Sequence, residues 1–122
     1  MTLQELYQLI DGDYERAIHV LMVEKLIDKH IRKLVKNGVV ASLLEAGKTM
    51  DPTQLFETAH AAKGVCANLG LVKIADAASE IAEEYRPGNA RSMSDEMVRE
   101  KLAEIEKLYQ KAVDGIRQYE GA

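Results

Sequence analysis

The chain has 122 residues, of which 47% are apolar and 30% are charged, and its formal net charge is −4. This acidic balance argues against a nucleic-acid partner, because nucleic-acid-binding domains are usually basic. No apolar run approaches the roughly 20 residues that span a bilayer, and one cysteine excludes an internal disulfide. We therefore expect a single cytoplasmic domain over residues 1–122, monomeric and without a nucleic-acid or membrane partner.

Start and stop signals predict three helices in the first half of the chain. Thr2 and Glu5 have the spacing of a capping box, and the pair Asn37-Gly38 is a stop signal. Asp13 is a suitable N-cap for a long helix that ends at this signal. The predicted helices are a short one from Thr2 to about Ile10, a long one from Asp13 to Asn37, and a short amphipathic one from Val39 to about Gly47.

The second half of the chain predicts further helices. Asp51-Pro52 combines an N-cap residue with the proline that favours the first helical position. Small residues would let two of these helices pack closely, namely Ala59, Ala62, Ala75 and Ala78. The predicted helices run from Asp51 to about Gly70 and from Leu71 to about Tyr85. A last helix begins at Ser94 and has an apolar side that consists of Met97, Leu102, Ile105, Leu108, Ala112 and Ile116. Five or six helices joined by short turns, with no alternating strand pattern, indicate an all-α up-and-down bundle.

His60 is the candidate functional residue because it lies away from the apolar side of its own helix. At about 100° per residue, it points roughly 140° away from the centre of the apolar stripe. Its neighbours on the outer face, Gly64 and Ala67, are small, and Lys63 follows one turn later. We expect Cys66 to be a small core residue. The stripe consists of Leu55, Ala59, Ala62, Cys66 and Leu69.

An exposed imidazole beside a lysine and a glycine is suited to phosphoryl chemistry. A neutral ring nitrogen is nucleophilic, and the Lys63 ammonium can attract the negative charge of a phosphoryl group on His60. Glycine inside a helix costs about 1 kcal/mol relative to alanine, so Gly64 needs a functional reason, which is access to the imidazole. With Phe56 as an apolar edge one turn earlier, the pattern predicts a landing surface for another protein.

Two alternatives remain open. Glu57 and His60 match the Glu-x-x-His spacing of carboxylate-bridged metal bundles, but such sites need a second motif, and His60 faces outward. His19 and His30 share a face of the predicted long helix, yet they would lie about 16 Å apart along it, too far to bind one ion. We therefore predict no metal site. The second alternative is a helical bundle that only binds other proteins and leaves His60 unused.

The run His60-Ala61-Ala62-Lys63-Gly64, followed by Ala67-Asn68-Leu69-Gly70, resembles the signature of histidine-containing phosphotransfer (HPt) domains. One departure is Ala62, where the family often has leucine, and we interpret it as a packing change. The resemblance implies an antiparallel up-and-down four-helix bundle with additional short N-terminal helices, forming one HPt-like domain. It also implies that a phosphoryl group moves reversibly between His60 and receiver-domain aspartates in a multistep two-component phosphorelay.

The resemblance also implies roles for the residues around His60. His60 would be the phosphoacceptor, Lys63 would give electrostatic support to the phosphoryl group, and Asn68 would contact the partner or complete the hydrogen bonding of the helix end. Glu83 and Arg86 on the next helix could orient the imidazole or contact the partner. The residues expected to form the docking surface are Phe56, Glu57, Gly64, Ala67 and Asn68.

The partners that the resemblance implies are response-regulator receiver domains, a hybrid sensor histidine kinase, or both. The chain has no glycine-rich loop for ATP and no acidic cluster arranged for Mg²⁺, so we expect no kinase activity and no bound cofactor. Phosphoryl transfer depends on the alignment of the reacting groups and on neutralisation of the charge on the phosphoryl oxygens. We expect the receiver domain and its Mg²⁺ to supply most of both. The sequence therefore predicts a phosphocarrier and not an enzyme.

Overall fold

A computed structural model of the protein describes residues 1–121, apart from the side chain of Asn37. Over these residues the chain forms seven helices. They are α1 (Leu3–Leu9), α2 (Tyr14–Leu21), α3 (Glu24–Asn37), α4 (Val39–Thr49), α5 (Pro52–Asn68), α6 (Val72–Glu84) and α7 (Asp95–Gly121). Only residues 50–51 connect α4 to α5, and only residues 69–71 connect α5 to α6. Connections this short make neighbouring helices antiparallel.

The helix starts follow the predicted capping chemistry. The Thr2 side chain accepts a hydrogen bond from the Glu5 backbone, and the Glu5 carboxylate accepts one from the Thr2 backbone. Asp13 caps α2, and Asp51 caps α5 with Pro52 in the first turn. The starts of these three helices are therefore encoded by residues next to them in the sequence.

The predicted long helix over residues 13–37 is wrong, because the chain breaks at Met22 into α2 and α3 and so forms seven helices instead of five or six. Met22 has a φ of 73°, and Val23 is extended. α2 packs on α5 whereas α3 packs on α7, so a change of direction is needed to bury both Ala17 and Ile27. This burial offsets the strain of a positive φ, which costs about 1–2 kcal/mol for a residue with a side chain.

Four of the helices form a bundle, and the three N-terminal helices cover it. α4 packs against α5, α5 against α6, α6 against α7, and α7 against α4, which closes the ring. α1 and α3 pack against α7, while α2 packs against α5. The predicted all-α bundle of four helices with additional N-terminal helices is therefore confirmed. No helix within residues 1–121 is both long enough and apolar enough to cross a membrane.

The apolar stripe of α5 is buried as the sequence predicts. Its residues are at most 1% exposed: Leu55, Ala59, Ala62, Cys66 and Leu69. Burial of a side chain the size of Leu55 contributes about 2 kcal/mol. On the neighbouring helix, Ala75 and Ala78 are also buried, and small residues on both helices let the backbones of α5 and α6 approach closely. This packing fixes the rotation of α5, so the face opposite the stripe points outward.

The end of α5 is tied to the N-terminal helices. The Tyr7 hydroxyl donates a 2.7 Å hydrogen bond to the Leu69 carbonyl, and the Asp13 backbone N–H donates one of 2.7 Å to the Gly70 carbonyl. Gly70 has a φ of 73°, and a side chain at this position would collide with the Asp13 backbone. Glycine is therefore required here. These contacts hold the helix that carries His60 in a fixed position.

Candidate functional site

His60 lies near the middle of α5 and its side chain is exposed. The residues before and after it on the opposite face, Ala59 and Ala62, are fully buried. This arrangement confirms the prediction that His60 points away from the core stripe. Lys63, one turn later, is half-buried, so its stem lies along the helix surface while its ammonium can reach solvent. The helix thus presents an imidazole and a cation on one side.

The imidazole of His60 stacks on the ring of Phe56. The two ring centroids are 5.7 Å apart and the ring planes differ by 20°. Phe56 is half-buried and packs against the hydrophobic core, so it is a fixed surface on which the imidazole can rest. An offset stack of this kind favours one orientation of the ring. The sequence placed Phe56 one turn before His60 but did not predict this contact.

Gly64 leaves the helix surface beside His60 bare. A Cβ atom added at this position would meet no heavy atom within 4 Å, so packing does not require a glycine. By contrast, a Cβ at Gly47 of α4 would lie 2.7 Å from a methyl carbon of Leu102. Because helix propensity favours alanine by about 1 kcal/mol, the structure offers no stability reason for Gly64. Without a Cβ atom at this position, the surface of α5 one turn after His60 carries no side chain.

Glu83 of α6 and Arg86, two residues past the end of this helix, form a charged pair next to Phe56. The Arg86 guanidinium donates hydrogen bonds to the Glu83 carboxylate, the shortest of them 2.6 Å, and its Cζ atom lies 5.6 Å from the centre of the Phe56 ring. The hydrogen bond from Arg86 lowers the pKa of Glu83, and the positive charges of Arg86, Lys63 and protonated His60 lower this pKa further. Arg86 therefore lies over the Phe56 ring on which His60 stacks, and Glu83 is bound to Arg86.

The predicted docking residues lie on two parts of α5. Glu57 is exposed and Ala67 is half-buried, both on the side of His60. Asn68 is the last residue of α5 and is exposed. The hydrogen bonds that the structure describes at this helix end come from backbone N–H groups and from Tyr7. The Asn68 side chain therefore faces outward, where a partner can contact it.

A cleft lies beside Asn68 that sequence reasoning missed. It has a volume of about 360 Å³ and is lined by apolar side chains, including Leu21 and Val65, and by His30 and Lys33 of α3. The two helices on either side of the break at Met22 both line this cleft, α2 with Leu21 and α3 with His30 and Lys33. A prediction of one continuous helix could not include it, because the sequence carries no glycine or proline at the break.

Within residues 1–121, no group of three or more histidine, cysteine, aspartate or glutamate residues lies close enough to hold a metal ion. Glu57 and His60, which match the spacing of a metal-binding pair, are both on the outer face of α5. His19 and His30 are on different helices, so the separation predicted along one helix is wrong. Burial raises the pKa of the Cys66 thiol to about 12, which keeps this thiol protonated and unreactive.

A model of one protein family matches most of the chain. The Hpt domain model matches residues 22–118, a span that contains α3 to α6, nearly all of α7, and the whole site around His60. Comparisons with curated proteins and with solved structures gave no match. Hpt domains interact with the receiver domains and kinases of two-component systems, and they carry phosphoryl groups without being kinases themselves. On this match the chain belongs to the Hpt domain family, whose function is histidine phosphotransfer in two-component signalling.

Proposed function

We propose that His60 carries a phosphoryl group between the aspartates of two receiver domains in a multistep phosphorelay. The observation that supports this most strongly is the pairing of an exposed His60 with Gly64, a helical glycine beside which nothing packs. A glycine that lowers helix stability and relieves no collision is expected where a partner must approach closely. The membership of the chain in the Hpt family supports the phosphoryl group as the cargo.

The transfer itself requires little from this chain beyond a positioned nucleophile. A ring nitrogen of His60 attacks the phosphorus of an aspartyl phosphate in line with the leaving carboxylate oxygen. The P–O bond breaks, a P–N bond forms, and the ring loses a proton to solvent. Transfer to a second receiver reverses these steps with that receiver's aspartate as the nucleophile. We propose that the receiver domains supply the Mg²⁺ that neutralises charge on the transferred oxygens.

The residues around His60 have separate parts in this proposal. Phe56 orients the imidazole through the ring stack, Lys63 attracts the transferred phosphoryl group, and Gly64 admits the receiver. Glu57 and Ala67, with Asn68 farther along α5, form the rim of the docking surface. Docking of this kind is transient, and transient encounters often bury a total of about 1,200 Å² or less.

A transfer assay with two variants tests the proposal. Wild-type protein, His60→Gln and His19→Gln are each incubated with a labelled phospho-receiver and Mg²⁺. We expect acid-labile, alkali-stable label on the wild type and on His19→Gln, which alters another exposed histidine, but none on His60→Gln. Label on all three proteins would assign the phosphoryl group to another residue. No label on a folded wild type, with several receivers, would support the alternative that the bundle only binds other proteins.

A further inference from the structure

Four side chains form a connected series from α5 to the C-terminal end of α6 and the residues just after it. His60 stacks on Phe56 at 5.7 Å between ring centroids, and the Arg86 guanidinium lies over the same Phe56 ring at 5.6 Å. Arg86 is also hydrogen-bonded to Glu83, through Nη2 at 2.6 Å and through Nε at 3.2 Å from each carboxylate oxygen. One guanidinium and one carboxylate are therefore linked to His60 through the Phe56 ring.

Phosphorylation of His60 would change the electrostatic balance of this series. A phosphoryl group brings close to two negative charges and three strong acceptor oxygens. The Glu83 carboxylate repels these charges, whereas the Arg86 guanidinium can bind two phosphoryl oxygens at once. Lys63, one turn after His60 on α5, is a further cation on this side of the helix. The guanidinium therefore has two competing acceptors once His60 is phosphorylated.

We propose that Glu83 binds the Arg86 guanidinium while His60 is unphosphorylated, and that the phosphoryl group on His60 competes with Glu83 for this guanidinium. The competition between Glu83 and the phosphoryl group then sets the lifetime of the phosphohistidine. The inference rests on the proposed function of His60. It goes beyond that function by assigning Glu83 and Arg86 as positioning residues with opposite effects on one measurable quantity. The Phe56 ring contacts both the His60 imidazole and the Arg86 guanidinium. It can therefore position both groups before and after His60 is phosphorylated.

The exposure of the pair makes this exchange easy. The Arg86 and Glu83 side chains are 42% and 52% exposed, and exposed ion pairs contribute little net free energy. The adjacent Glu84 is different, because its side chain is only 2% exposed and it accepts hydrogen bonds from Arg91, Ser92 and Met93. The buried carboxylate fixes the end of α6, and the neighbouring pair remains able to rearrange at that fixed position.

The effect of Glu83 and Arg86 can be measured as a change in the rate at which the phosphohistidine is hydrolysed. Water adds to phosphorus, the P–N bond breaks, inorganic phosphate leaves, and the ring nitrogen takes up a proton. The transition state is loose, so the P–N bond is largely broken while the bond to water is only beginning to form. A guanidinium on the phosphoryl oxygens stabilises the intact group and slows this step. A carboxylate nearby repels the same oxygens and favours a protonated leaving imidazole, so it speeds the step.

The test uses a chemical phosphoryl donor so that it does not depend on a receiver domain. Phosphoramidate transfers its phosphoryl group to an exposed imidazole: its P–N bond breaks, ammonia leaves with the ring proton, and a new P–N bond forms. The decay of the His60 signal is then followed by ³¹P NMR. The variants are Glu83→Gln and Arg86→Gln, and Glu45→Gln is the matched control because Glu45 forms an exposed i,i+3 ion pair with Lys48 at 2.9 Å on another helix.

We expect the phosphohistidine lifetime to lengthen about two- to fivefold in Glu83→Gln and to shorten by a similar factor in Arg86→Gln. Arg86→Lys should restore part of the lost lifetime, because it keeps the charge but not the two-pronged hydrogen bonding. The phosphorylated His60 of Glu45→Gln should decay at the wild-type rate. The phosphorylated His19 should decay at the same rate in every variant as in the wild type. In the wild type, phosphorylation of His60 should also shift the ¹⁵N signal of the Arg86 Nε atom.

The inference would be overturned if the phosphohistidine lifetimes of Glu83→Gln and Arg86→Gln both equal the wild-type lifetime, or if both change in the same direction. An Arg86 Nε signal that does not move on phosphorylation would also overturn it. If His19 is labelled and His60 is not, the imidazole is inaccessible and both proposals are wrong. If the lifetimes shift in opposite directions but no receiver transfers a phosphoryl group to His60, then the pairing is supported and only the proposed relay function fails.

Discussion

The Tyr7 hydroxyl donates a 2.7 Å hydrogen bond to the backbone carbonyl of Leu69, a residue 62 positions later in the chain. Both residues are 1% exposed, so this contact joins α1 to the end of the helix that carries His60 within the core. Burial raises the pKa of the Tyr7 phenol. The hydroxyl therefore stays protonated and remains a donor at any pH at which the protein is normally studied.

Replacement of this donor should weaken the whole domain. We expect Tyr7→Phe to lower the free energy of unfolding by about 1–2 kcal/mol, because the buried Leu69 carbonyl loses a partner. Urea denaturation followed by circular dichroism measures this change. Tyr109→Phe, which alters a half-buried tyrosine of α7, should cost less than about 0.5 kcal/mol. Equal losses in the two variants would show that the Tyr7 hydrogen bond adds nothing specific.

Gly64→Ala should separate stability from function. Since a Cβ at this position meets no heavy atom within 4 Å, we expect the variant to be more stable by up to about 1 kcal/mol. The same methyl group narrows the approach to His60, so transfer from a phospho-receiver should slow. Thermal unfolding and a timed transfer assay measure the two effects.

Gly47→Ala is the matched control for this substitution because Gly47 is also inside a helix. A Cβ atom at Gly47 would lie 2.7 Å from Leu102 in the core. Gly47→Ala should therefore raise the free energy of unfolding less than Gly64→Ala does, and it should leave the transfer rate unchanged. Transfer at the wild-type rate in Gly64→Ala would contradict the landing-surface argument, whatever the change in stability.

Glu84 should make the stability of the protein depend on acid pH. Burial alone would raise the pKa of this carboxyl, but hydrogen bonds from the Met93 backbone, Arg91 and Ser92 outweigh it and lower the pKa to about 2. Because the folded-state pKa lies below the unfolded value, the stabilisation is present above about pH 4.5 and declines as the pH falls toward 2. We expect Glu84→Gln to cost about 2 kcal/mol at pH 7.

The measurement for Glu84 is a series of denaturation curves between pH 7 and pH 2. The difference between wild type and Glu84→Gln should narrow across the range in which the carboxylate becomes protonated. Glu45→Gln, which removes an exposed pair with Lys48, should differ from wild type by less than about 1 kcal/mol throughout. A Glu84→Gln difference that is constant with pH would contradict the assigned pKa.

Met22→Gly tests the break between α2 and α3. Met22 has a φ of 73° and is 74% exposed, so glycine relieves backbone strain and removes little packing. We expect the free energy of unfolding to rise by up to about 1 kcal/mol. Lys29→Gly, in the middle of α3, should lower it by about 1 kcal/mol. Destabilisation by both substitutions would indicate that one continuous helix spans this region.

Most of the helices and the outward position of His60 could be predicted because they depend on neighbours in the sequence. The capping box of Thr2 and Glu5 and the Asp51 cap act within one turn. The stripe from Leu55 to Leu69 repeats with the helical period, so it specifies which side of α5 is buried and therefore which side carries His60. Gly64 could be singled out for the same reason, since helix propensity alone disfavours it.

Sequence by itself thus determined the helical class, the caps and the exposed face of α5, which are all properties of one helix at a time. Only the tertiary structure decided the break at Met22, because the gain comes from packing α2 and α3 on different partners. It also decided that Arg86 lies over the Phe56 ring and beside Glu83. Contacts between α5 and α6 depend on how closely two helices approach and at what angle, and their packed core sets both quantities.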